Sequence, residues 1–162
     1  MNAQLNKKGF TIIEVVLVLA IAGLIFLMVF VALPALQSGQ RDSARKNDVA
    51  SVASAVNTYV SNSRGRLPAN GAALGTYNAA DGKWTSYLSS VSGSTTAVNV
   101  VPAADRPGGN AATTDGTITV YLGARCGAPD GNAQAISAGT ARQYAVVTRL
   151  ESGGGVAFCQ ES

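Results

Sequence analysis

The chain has 162 residues, a formal net charge of +3 and no histidine. Only 13% of its residues are charged, about half of the ~25% found in an ordinary soluble domain. The missing histidine excludes a Ser-His-Asp triad, a Cys-His pair and a His-ligated metal, and twelve bases against nine acids, without a block of either, exclude a module built on a dense basic patch. Mean hydropathy is nevertheless positive, at +0.19, so the apolar residues must be concentrated in one part of the chain.

That part is Phe10–Leu33, which carries a single charge, Glu14. A helix of this length spans roughly 36 Å, against ~30 Å for the hydrocarbon core of a bilayer. Its Leu, Ile, Val and Phe residues favour insertion by roughly 5 to 10 kcal/mol. A glutamate even at the bilayer centre costs only ~2.5 to 3.5 kcal/mol, and Glu14 lies near one end. Lys7 and Lys8 precede the segment and place that end in the cytoplasm. The run is too long for an ordinary cleaved secretory signal, and Leu33-Pro34-Ala35-Leu36-Gln37 is a poor site for such cleavage. On these features alone the segment could equally be a plain signal anchor.

Lys7-Lys8-Gly9-Phe10-Thr11-Ile12-Ile13-Glu14 goes further. It resembles the class III signal of type IV prepilins and pseudopilins. The resemblance implies that residues 1–9 are a leader, cut after Gly9 by a prepilin peptidase that then methylates the new N-terminus, Phe10. It also implies that Glu14, fifth in the mature chain, sets axial register by pairing with the N-terminal amine of a neighbouring subunit. Physically, an acid in an apolar run needs a partner, and a misaligned subunit would leave a charge unpaired among apolar helices. The plain alternative is a glutamate that reaches to the membrane interface.

The spacing predicts one helix over 10–62, with 10–33 in the membrane or filament core. Gly23 costs ~1 kcal/mol relative to alanine. Pro34 removes a donor and clashes with the Phe30 carbonyl, so a kink or local melting is expected near 34, as pilins show when packed in filaments. Val49, Val52, Ala53, Val56, Tyr59 and Val60 form an apolar stripe at spacings of three and four. Asp42 and Lys46 read as an i,i+4 pair on the solvated side, and Asn62, Ser63 and Gly65 as a stop.

Residues 63–162 read as a globular head. Residues 67–116 are rich in turn signals, with a short helix expected at Lys83–Leu88 and a strand at Ala97–Val101. Thr117–Leu122 alternates with period two, and Gln143–Leu150 returns with Val156–Cys159 as an antiparallel hairpin. A helix followed by antiparallel strands gives an α+β class, here a long N-terminal helix packed on a small antiparallel sheet, as in the type IV pilin fold.

Cys126 and Cys159 are the two cysteines. A head outside the cytoplasm favours a disulfide between them, worth ~3 to 4 kcal/mol by loop closure, and many pilins carry such a C-terminal bounded loop, here 126–159. Two buried thiols are the alternative. No sequence motif for a metal, a cofactor or an enzyme is present; Asp105, Asp115 and Asp130 sit beside Pro or Gly as turn residues. Arg64, Arg66, Arg106, Arg125, Arg142 and Arg149 could face DNA, but scattered arginines are usually solvated. The reading is therefore a pilin, expected to be the major subunit. It would start as a single-pass precursor in the cytoplasmic membrane and end in an extracellular pilus. Its partners would be itself, the prepilin peptidase, the assembly platform and, indirectly, extension and retraction ATPases. Adhesion and twitching motility would follow. A pseudopilin of a type II secretion or DNA-uptake system and a signal-anchored extracytoplasmic domain are the competing readings; calcium-dependent stability would mark the pseudopilin, and a pocket of convergent polar groups the anchored domain.

Overall fold

One helix, α1 (Ile12–Asn62), takes up most of the first third of the chain. The computed structural model describes residues 9–111, 113–130 and 133–162; all of the expected leader except Gly9, including Lys7 and Lys8, lies outside the described residues. The chain divides into two compact units, one ending at Gln37 and the other Ser38–Ser162.

In the first unit α1 is helical through Gly23 and on through Pro34. Pro34 lies inside this continuous helix, where its missing donor and ring clash cost about 3 kcal/mol or more. The apolar residues here have no cover from the chain. Phe10 is 90% exposed, Leu27 70% and Phe30 73%. This is the composition and length of a membrane span.

The second unit is the head. The rest of α1 is followed by two short strands, β1 (Tyr77–Asn78) and β2 (Lys83–Trp84), which pair with each other. Then come β3 (Ala97–Val101), β4 (Asn110–Ala111), β5 (Thr117–Leu122), β6 (Ala124–Asp130), β7 (Ala133–Ala138), β8 (Tyr144–Arg149) and β9 (Ala157–Glu161). Four of them form the main sheet in the order β3-β5-β8-β9, and three form a second sheet in the order β4-β7-β6. The architecture is α+β, a long N-terminal helix packed on a small sheet region.

Period-two alternation divides the main sheet between two cores. Ile118, Val120 and Leu122 of β5, with Tyr144 and Val146 of β8, join Val49, Val52 and Val56 of α1. The intervening Tyr121, Ala145 and Val147 face the other way and meet Ala111, Ala124 and Ile136 of the second sheet. The head is thus three layers, helix on sheet on sheet.

The structure departs from the sequence expectations at three places. The main sheet is mixed, because β3 runs parallel to β5; a parallel pair needs a crossover, and residues 102–116 supply it by way of β4 in the second sheet. Lys83–Leu88 is not one short helix but β2 followed by a 3-10 turn at Ser86–Leu88. Lastly, besides the expected strand at 143–150, the disulfide-bounded stretch 126–159 holds most of β6 and all of β7, for which the sequence pattern offers no expectation. Strand β6 escapes a pattern search because Gly127 and Pro129 interrupt it, and its pairing with β7 shifts register between Cys126 and Pro129.

Candidate functional site: the helix start and the helix–head clamp

At the start of α1, Thr11 is the residue before the first helical position and Glu14 lies three residues on. The Thr11 backbone N–H and hydroxyl both donate to Glu14 Oε2, at 2.9 and 2.8 Å, while the Thr11 carbonyl accepts the Glu14 N–H at 3.1 Å. This is the reach-back half of a capping box. It occupies an orphan donor of the helix start and aims a carboxylate at the segment where the Gly9–Phe10 bond lies. Gly9 and Phe10 are both exposed.

The family model of the prokaryotic N-terminal methylation motif matches residues 4–30. Comparison with curated proteins and with solved structures finds no match. The motif lies at the start of the apolar N-terminal helix, ahead of the small α+β head. Residues 4–30 thus carry the class III signal peptide found on type IV pilins and pseudopilins, and with the apolar helix they fit a membrane-anchored precursor, with prepilin peptidase as the processing enzyme that the motif implies.

Beyond the apolar segment, the helix grips the head through two acids, Asp42, expected on the solvated side, and Asp48. Asp42 is not on a solvated face and does not pair with Lys46. It is buried, and its Oδ1 and Oδ2 accept the backbone N–H groups of Glu151 and Ser152 at 2.6 and 2.9 Å. Burial alone would raise the Asp42 carboxyl, but hydrogen bonds from Ser152 and Glu151 and the charge of Arg45 outweigh it, holding the group below the ordinary carboxylate value. Lys46 instead stands over the Phe158 ring, 5.6 Å from its centre.

Arg41 and Arg45 complete the grip. Arg41 Nε is 2.5 Å from Glu151 Oε2, and Arg45 reaches Glu151 Oε1 at 2.8 Å and donates to the Arg149 carbonyl at 2.7 Å. Two turns on, buried Asp48 accepts the Ser92 N–H at 2.9 Å and the Ser92 and Thr95 hydroxyls at 2.6 and 2.7 Å. The Tyr144 hydroxyl donates to the Ala53 carbonyl at 2.9 Å, and burial pushes that phenol's pKa up against a hydrogen bond with Asn57 that lowers it. A sequence signal for this grip existed: five of the chain's 21 charged residues (12 + 9) fall within Arg41–Asp48.

Cys126 on β6 and Cys159 on β9 are joined by a disulfide, with their Cα atoms 6.0 Å apart. It bridges the second sheet to the edge of the main sheet. Of the arginines read as solvated, Arg149 and Arg125 lie within ion-pair distance of Asp115 and Glu161, at 3.7 and 3.9 Å. Arg106 donates to the Gly123 carbonyl. Asp115, read as a turn residue, also faces Arg45 at 3.7 Å.

Proposed function

We propose that the mature chain is the major structural subunit of a type IV pilus, working by packing rather than by catalysis. One observation carries this reading. An apolar helical segment has no cover from its own chain and bears one acid, Glu14, at the fifth position of the mature sequence. Removal of residues 1–9 frees a cationic amine at Phe10, one helical turn from Glu14. In a bundle of such helices, only the axial stagger that pairs each amine with a carboxylate avoids a bare charge in apolar surroundings. Gly23 and Pro34 mark where the helix yields as the bundle forms.

The precursor waits in the cytoplasmic membrane and is then added to an extracellular filament by an assembly platform driven by extension and retraction ATPases. Adhesion and twitching motility follow from filament growth and withdrawal. DNA is a weak candidate partner, because side-chain charge falls from +3 to +1 once Lys7 and Lys8 are removed (3 − 2). A pseudopilin would share the helix but form only short fibres. Glu14→Val tests the register role: membrane insertion and cleavage persist, while incorporation into filaments drops severely. Filament yield equal to that of the unmodified protein would sink it.

A further inference from the structure

The far end of α1 carries polar chemistry outside the grip that Asp42 and Asp48 make on the head. Tyr59, Asn62, Ser63, Arg64 and Arg66 line an open cleft of about 590 Å³. Among the described residues, neither Arg64 nor Arg66 makes an ion pair or a side-chain hydrogen bond, whereas Arg41, Arg45, Arg125 and Arg149 all face carboxylates. Arg64 also sits in the left-handed conformation that ends the helix, at φ 56°, with the next N–H, of Gly65, bonded to the Val60 carbonyl at 2.8 Å. Glycine fills such a position with less strain. The negative end of the helix dipole accounts for one cation there, but not for a second, Arg66, on the same cleft. The Tyr59 ring is fixed edge-on against Tyr87, with centres 5.7 Å apart, and Tyr87 is in turn tied to Asn62.

We propose that this cleft binds a carboxylate-bearing sugar, such as a uronic acid unit of an anionic polysaccharide. Two guanidinium groups match a planar carboxylate through paired N–H···O bonds. Tyr59 lines the same cleft and adds aromatic surface for contact with a pyranose, and Asn62 and Ser63 supply donors and acceptors for its hydroxyls. Two cations in one cleft suit a single acid better than a nucleic acid, whose binding grows with the number of phosphates neutralised. The site names a ligand class for the proposed adhesion, yet it belongs to the head alone and does not require a filament.

The test is a titration of the full chain in neutral detergent micelles with fluorescent trigalacturonate and with its methyl ester. Saturable binding of the acid is expected, at least tenfold weaker for the ester. Arg66→Gln should weaken it at least tenfold, and Arg142→Gln, at an exposed arginine outside the cleft, should leave it unchanged. Arg64→Gly is the sharpest variant, because glycine suits that backbone: binding should fall at least tenfold while the melting temperature does not. Absent saturation, equal binding of the ester, unchanged binding in both variants, or equally good competition by an oligonucleotide of the same charge would each overturn the proposal. None of these outcomes touches the filament reading, which N-terminal processing and fibre yield report separately.

Discussion

Asp42 holds a loop more than 100 positions away in sequence, at Glu151–Ser152. Hydrogen bonds to a buried charge contribute about 1.5–3 kcal/mol each, and an unmade one leaves the partner desolvated. Asp42→Asn keeps the shape but offers one accepting oxygen in place of two, so the head should lose about 1.5–3 kcal/mol by thermal unfolding of the full chain in micelles. The pH dependence has a definite sign. The folded pKa is depressed, so this stabilisation is full above the unfolded value of ~3.9 and disappears as pH falls through the lower, folded one. The gap between the two proteins should therefore shrink below about pH 4; a constant gap from pH 7 to pH 3 would show that Asp42 is not the titrating group. At this scale the sequence was only half legible. Glu14 stood out because an acid in an apolar run has one sign and no neighbours. Asp42 looked like a helix-surface charge and Asp48 drew no reading, because nothing local shows that a distant segment brings N–H and hydroxyl donors to them.

Among the elements, those whose pattern is local were readable and those built by distant pairing were not. The second half of α1 announces itself through Val49, Val52 and Val56, β5 through alternation and β8 through an apolar run, whose two faces are buried in the two cores. Strand β7 carries mostly small residues, and β4 is two residues long; both are strands because partners lie beside them. The parallel β3–β5 pair is invisible locally for the same reason. The disulfide secures β9, an edge strand, to the second sheet. Replacing Cys126 and Cys159 together by serine should remove ~3 to 4 kcal/mol on the loop-entropy estimate. In a head of this size that lowers the melting temperature by roughly 10 °C or more, measured on oxidised full chain. An unchanged melting temperature would mean that the β8–β9 ladder alone holds the strand.

For the whole molecule, the decisive fact is an imbalance of burial. The head hides its apolar residues in two cores, while Ile12, Ile13, Leu24, Phe26 and Met28 stand more than half exposed on α1. Area of that kind is favourable only in lipid or against other helices, surroundings that a membrane-held precursor has and the proposed polymer would supply. Charge fits that proposal: only 13% of residues are charged, and ion pairs both between α1 and the head and within the head neutralise several of them, so little like-charge repulsion would oppose close stacking of copies. The most direct measurement is to shear fibres from the source cells and sequence the N-termini of the released polymer by mass spectrometry. A chain beginning at methylated Phe10, abundant in long filaments, is the predicted result. A chain that still begins at Met1, held only in the membrane, would contradict it and leave the apolar segment a simple anchor.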